Sequence, residues 1–314
     1  MRKVAVVTTG FFDGVHLGHR HVLSAVVSSA RERGEEAVVV TFWPHPRTVL
    51  QQDAREFRIL TSLEEKKALL AAAGIDRVEV LPFTREFAAM TAQEYLQLLR
   101  DKYDASLVVM GYDNRIGSDR LTIDALTGAF ESRKPSSLRS LSLPTSLRAV
   151  GPLPFTWPRA AMVSEDSNAP VISSTKIRKA LTEGRVEEAN GMLGYRYGLY
   201  GAVVAGNRVG RTMGFPTANM QLYEPLKLVP ANGVYAVEAE VLGATYKGMC
   251  NIGMRPTVGG ATRTIETHIL DFDQDIYGLP LRIRFLRRIR DERKFPSLEA
   301  LREQLTLDAL KCKK

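Results

Sequence analysis

The stretch KVAVVTTGFFDGVHLGHRHVLSAVVSSARERGEEAVVVTF, residues 3–42, decides the fold. It opens on a short β-branched run, Lys3 to Thr8, and passes through a glycine-bearing turn. Val22, Val26 and Ala30 then repeat at helical spacing until Gly34 offers a stop. A second apolar run, Ala37 to Phe42, reads as a buried strand. Strand, turn, helix and strand in this order imply parallel pairing through a right-handed crossover. The pattern continues outward. Ser62 with Glu65 has capping-box spacing before an Ala/Leu-rich helix closed by Gly74, and Thr91 with Glu94 repeats it before Tyr95 to Leu99. Arg77 to Leu81 and Ser106 to Met110 are strand-like. The expectation is an open α/β sheet with parallel strands. Ligands in such sheets bind at the carboxyl ends of strands, where Thr9 to His19, Thr41 to Pro46 and Gly111 to Gly117 all begin.

From about Tyr195 the period changes to two. Leu199 to Ala205, Gly233 to Val241, Thr245 to Asn251, Arg263 to Phe272 and Leu281 to Ile289 read as strands joined by Gly-, Asn- and Pro-containing turns. They predict a small antiparallel β-barrel. Ser297 to Leu310 predicts a terminal helix packed on it. Helical stretches at Thr175 to Leu181 and Val186 to Leu193 bridge the halves, so the domains are expected at residues 1–184 and 185–314. Ser132 to Arg159, rich in Ser, Pro, Leu and Arg, has neither period and receives no functional weight.

With 314 residues, 45% hydrophobic and 25% charged, the chain can bury two ordinary cores. A net charge of +8 is compatible with any polyanion and selects none. Cys250 and Cys312 have no CxxC spacing, which argues against a disulfide framework or a cysteine metal site. No apolar run reaches the roughly 18 residues of a spanning helix, and Val4 to Val7 is too short for a signal-peptide core. The expected location is the cytoplasm.

The turn Gly10-Phe11-Phe12-Asp13-Gly14 leading to His16-Leu17-Gly18-His19 suits a triphosphate. Small residues let the backbone approach the oxygens, and exposed N–H groups with the helix dipole favour negative charge. His16 and His19 share one face of the helix start and can donate to phosphate oxygens. Ile172-Ser173-Ser174-Thr175-Lys176-Ile177-Arg178 places three hydroxyls and two cations at another helix start, a second phosphate-compatible segment. Further on, Gly206 to Gly214 forms a loop rich in Gly and Arg that can wrap phosphates, including Arg211. It leads into Phe215-Pro216-Thr217-Ala218-Asn219, where Thr217 and Asn219 project the same way if the segment is extended, offering hard oxygens to Mg²⁺. In Thr264 to Leu270, Glu266 and His268 share the face opposite Ile265, Thr267 and Ile269. A carboxylate there can accept the proton of an attacking hydroxyl. Taken singly, each motif also has a bland reading, such as an ordinary helix start, β-turn or solvated strand face.

In combination they resemble bacterial bifunctional riboflavin kinase/FMN adenylyltransferase, within the HxGH nucleotidylyltransferase superfamily. The resemblance rests on Gly10 to His19, Thr41-Phe42-Trp43-Pro44-His45-Pro46, Gly111-Tyr112-Asp113, the Ser173 to Arg178 segment, the GFPTAN run Gly214 to Asn219, the Asn251 to Thr257 loop and the Glu266 strand. It implies a Rossmann-like nucleotidylyltransferase sheet followed by a flavokinase barrel with a terminal helix. In the first, Gly10, Phe12, Asp13, His16, His19, Asp113, Ser174, Thr175 and Arg178 meet ATP, and Phe42, Pro44, His45 and Pro46 meet the flavin. In the second, Glu266 is the base, Thr217 and Asn219 hold Mg²⁺, and Gly206, Arg211, Gly214, Asn251, Gly253, Arg255 and Thr257 meet ATP. Arg287 and Arg290 stand near the flavin edge or phosphate. The implied small molecules are riboflavin, FMN, FAD and ATP, with no nucleic-acid or membrane partner and the oligomeric state open. Phe11 stands where the family usually has a small polar residue, and Asn114 and Ile116 where it usually has aromatics. These departures keep a second reading in play, a riboflavin kinase whose adenylyltransferase domain is only a scaffold. A basic nucleic-acid-binding regulator is a third, but no RNA- or DNA-reading motif accompanies it.

Overall fold

A computed structural model describes residues 3–50, 56–111, 115–121, 172–206, 210, 213–257 and 260–313, with backbone alone at 256, 257, 260 and 261. Asp113, Asn114, Arg211, the Ser132 to Arg159 stretch and the Thr257 side chain lie outside the described residues. The chain divides into two compact units, Met1–Phe57 with Leu63–Val171 and Arg58–Ser62 with Ile172–Lys314.

The first unit runs β1 (Ala5–Thr9), α1 (Leu17–Arg33), β2 (Glu36–Trp43), α2 (Pro46–Leu50), α3 (Leu63–Ala72), β3 (Arg77–Pro82), α4 (Arg85–Ala88), α5 (Ala92–Tyr103) and β4 (Ala105–Val109). The strands form a parallel sheet in the order β3-β2-β1-β4. Alternate side chains go to opposite faces. Ala5, Val7, Val38 and Val40 pack with Leu96 and Leu99 of α5, whereas Val6 and Val39 pack with Leu23 and Val26 of α1 and Leu70 of α3. Because both faces are covered, β1 is buried along its whole length and reads as a continuous apolar run rather than an alternating one. Two of the end signals in the sequence are used. Gly34 closes α1 at φ 67°, and Thr91 with Glu94 forms the full capping box of α5. Strand order turns back at β1, so the crevice beside its carboxyl end is where the fold leaves room for a ligand.

The second unit contains α6 (Ser174–Thr182), α7 (Val186–Leu193), β5 (Gly198–Val204), β6 (Ala218–Leu222), β7 (Gly233–Val241), β8 (Ala244–Thr257), β9 (Gly260–Ile269), β10 (Pro280–Arg290) and α8 (Leu298–Lys313). The six strands close into an antiparallel barrel in the order β10-β5-β6-β9-β8-β7. Ile252, Ile265, Ile269, Ile283 and Phe285 fill its interior. A small outer cluster, in which Val234, Met249 and Leu270 meet Leu305 and Cys312, seats α8. Two segments fall elsewhere than the sequence pattern places them. Residues 172–184 belong to this unit, because Ile177, Ala180 and Leu181 enter its core. Arg58–Ser62 joins it as well, through a parallel bridge between Ile59 and Lys227 and the buried Leu60. Asn251 to Thr257, expected as a loop, is the end of β8, paired with β9 as far as Thr257 opposite Gly260. Gly253 and Pro256 are loop formers by propensity, but the ladder overrides them.

Candidate functional site

In the first unit the turn between β1 and α1 is built under strain. Phe12 has φ 51° and Val15 φ 38°, conformations that side-chain-bearing residues avoid and that cost on the order of 1–3 kcal/mol each. Buried packing holds them there, with Phe12 at 5% and Val15 at 0% exposure. The result is that Asp13 and His16 are turned inward, with exposures of 3% and 6%. The His16 Nδ1 accepts the His19 N–H at 3.3 Å and caps α1. An accepting Nδ1 fixes the proton of a neutral His16 on Nε2, leaving that edge as a donor. The two imidazoles stack with centroids 3.6 Å apart and planes 16° apart. Burial first, then the charges of His16 and Lys66, push His19 well below the ordinary imidazole range, so it is neutral at pH 7.

Beside the turn lies a cavity of about 400 Å³, lined by Gly10, Phe11, Phe42, Pro46, Phe87 and Tyr95 among others. Of the expected flavin-side residues, Phe42 and Pro46 line it; Pro44 and His45 are not among its walls. The His45 ring packs edge-on to Phe11 at 4.0 Å, so the Thr41 to Pro46 segment and the histidine turn are locked together. Ile116, one of the departures from the family pattern, contributes an apolar wall, and Arg115 a cation. Ser174, Thr175 and Arg178 lie on the first turns of α6, in the second unit. Ser173 caps that helix by accepting the Lys176 N–H, and Arg178 donates to the Arg58 carbonyl at 2.9 Å.

In the second unit the site is a row across three strands. Register pairs Asn219 of β6 with Glu266 of β9, and Glu266 with Asn251 of β8. Ala218, Thr267 and Cys250, one residue along, point into the barrel, so the polar row faces out. Thr217, immediately before β6, is partly exposed and lines a cavity. Arg255 donates to the Glu266 carboxylate at 2.8 Å, and His268 Nδ1 sits 2.8 Å from the Pro216 carbonyl. Gly206 lies close against Asn219, because a Cβ there would lie 2.1 Å from the amide nitrogen and displace that side chain. Gly253 gives the same kind of room to the Glu292 carboxylate, which a Cβ would meet at 2.2 Å. A cavity of about 380 Å³ opens from Thr217 to Asp273, Asp275 and Tyr277. The FAD synthetase family model matches residues 1–140 and the riboflavin kinase family model residues 193–314. Curated proteins called bifunctional riboflavin kinase/FMN adenylyltransferase match nearly end to end. The one from Listeria monocytogenes is 36% identical over 96% of this chain and 90% of its own. That from Bacillus subtilis is 34% identical over 97% and 90%, and that from Escherichia coli 35% over 97% and 90%.

The chain belongs to the bifunctional riboflavin kinase/FMN adenylyltransferase family. A crystal structure described as a macrolide-efflux protein from Streptococcus pneumoniae also matches, at TM-score 0.84 and 32% identity over 99% of this chain and 94% of that one. Among the described residues no helix is long and apolar enough to cross a membrane. Within this family frame, Arg287 and Arg290 are engaged with the terminal helix. Arg287 donates to the Lys311 carbonyl, and Arg290 Nε meets the fully buried Asp308 at 2.7 Å. Sequence reasoning passed over Asp273, Asp275, Glu292 and Lys66. The first two follow strand β9 in an acidic alternation that reads as a solvated turn, and nothing in the sequence pairs Glu292 with Gly253. Lys66 falls in the apolar stripe of α3 with Leu63 and Leu70, a spacing signal that was available.

Proposed function

We propose that this chain makes FMN and then FAD at two separate sites. At the barrel site riboflavin and ATP give FMN and ADP. At the sheet site FMN and ATP give FAD and pyrophosphate. The observation that carries the reading is the Asn219–Glu266 pairing, which sets an acidic group beside the Asn219 amide on one outward face. Glu266 accepts the proton of the riboflavin 5′-hydroxyl as its oxygen attacks the γ-phosphorus. Arg255 holds that carboxylate in orientation. The Thr217 hydroxyl and Asn219 amide oxygen fit Mg²⁺, which favours few protein ligands with phosphates and water, and the ion would neutralise phosphate charge there. Gly206, Arg211, Gly214, Asn251, Gly253, Arg255 and Thr257 take the nucleotide, while Arg287 and Arg290 hold α8 beside the flavin edge.

At the sheet site the FMN phosphate oxygen attacks the α-phosphorus in line, and pyrophosphate leaves. His16 and His19 donate to the phosphate oxygens as charge develops, with Gly10, Phe12, Asp13 and Asp113 completing the ATP site. Phe42, Pro44, His45 and Pro46 receive the isoalloxazine. Positioning and charge stabilisation supply both rates. The partners are small molecules rather than nucleic acid, and the buried, unbridged Cys250 and Cys312 support a cytoplasmic, reducing setting. The test is to incubate purified protein with riboflavin and Mg-ATP and resolve the flavins by chromatography. FMN followed by FAD is the expected course, and FMN alone would leave only the kinase.

A further inference from the structure

Lys66 stands on the inward face of α3 at 0% exposure, in a helix whose other buried residue is Leu70. A leucine would fill such a position at less cost, because an ammonium must be desolvated to enter it. Its surroundings are the catalytic turn. The Nζ lies 3.5 Å from the centroid of the Phe11 ring and 5.9 Å from that of Trp43. It also reaches the Thr41 hydroxyl at 3.4 Å, and Thr41 in turn donates to the Phe11 carbonyl at 3.2 Å. One ammonium therefore ties β2 to the turn that precedes His16. We propose that Lys66 is a positioning residue of adenylyl transfer, fixing the Phe11–Thr41 wall and supplying the positive field in which the His16–His19 pair works.

Among the described residues, His19 feels the charges of His16 and of Lys66 from α3, and Lys66 in turn feels Asp13 from the turn. The Phe12 ring packs edge-on to His19, and the Phe11 ring and Thr41 hydroxyl contact the Lys66 ammonium. Burial lowers the Lys66 ammonium to about 8, and Asp13 acts in the opposite direction. The Lys66 charge adds to burial and to His16 in keeping His19 unprotonated. A neutral imidazole donates to phosphate without taking the proton that would pin it to a ground-state oxygen, the arrangement electrostatic preorganisation calls for.

This inference rests on assigning adenylyl transfer to the histidine turn, and the experiment separates the two. The full-length chain, with ¹³C-labelled lysine and histidine side chains, is titrated by NMR alongside its Lys66→Met variant. In the wild type one lysine titrates with a midpoint of about 8, and the variant lacks that resonance. In the variant His19 protonates at higher pH, FAD formation from supplied FMN falls about tenfold or more, and its acidic limb moves upward. FMN formation from riboflavin is unchanged. A wild type in which every lysine titrates in the ordinary range overturns the inference, and that result is readable even if the variant does not fold. So does a folded variant that keeps the wild-type FAD rate and acidic limb. A wild type that makes no FAD removes the site assignment and this inference with it.

Discussion

The two units face one problem, holding a nucleotide triphosphate against an attacking oxygen, and build from different materials. The sheet uses a short strained turn, with Phe12 and Val15 at positive φ and a His19 imidazole kept neutral chiefly by burial. The barrel uses no such strain at its polar row, where Asn219, Glu266 and Asn251 are brought together by strand register alone. A turn stores its geometry in a few dihedral angles held by packing around it. A register stores it in the whole ladder, so single residues there can change chemistry without changing shape.

That contrast gives a ranked set of tests. Glu266→Gln keeps the barrel's shape and removes its proposed base, so FMN formation should fall by about 10²–10⁴ in steady-state assays while adenylylation of supplied FMN is untouched. His19→Ala should lower FAD formation by about 10²–10³ and leave the kinase intact. Gly206→Ala drives a methyl against the Asn219 amide, and displacement of that side chain should cost FMN formation about tenfold to a hundredfold, read chiefly in the Mg-ATP dependence. Asp308→Ala strands Arg290, itself mostly buried, and should destabilise the barrel unit by about 3 kcal/mol in denaturant unfolding. The smallest effect is in pH. His19 is held below its unfolded value, so its neutral form persists as pH falls through 6.5, and the acidic limb of FAD formation should lie below that of free imidazole.

The sequence carried the architecture wherever local signals agree with packing. Gly34 stops α1, Thr91 and Glu94 cap α5, and the Ile265, Thr267, Ile269 alternation gives β9 its inner face. It was less legible where tertiary pairing overrides propensity, as in Gly253 to Thr257 of β8 and the Arg58–Ser62 segment recruited through Ile59. The site followed the same division. Among the proposed site residues, His16, His19, Thr217, Asn219 and Glu266 stand out by type and spacing. Lys66 does so only faintly, because Glu64-Glu65-Lys66-Lys67 reads as a solvated helix start and its place in line with Leu63 and Leu70 is the one hint that it turns inward.

The most direct measurement of two independent sites is complementation in solution. Glu266→Gln and His19→Ala proteins are incubated with riboflavin and Mg-ATP, each alone and then mixed. FAD should form readily only in the mixture, as FMN released by the His19 variant is adenylylated by the Glu266 variant. A mixture no better than its parts, with both activities depressed in each variant, would contradict the separation of the sites.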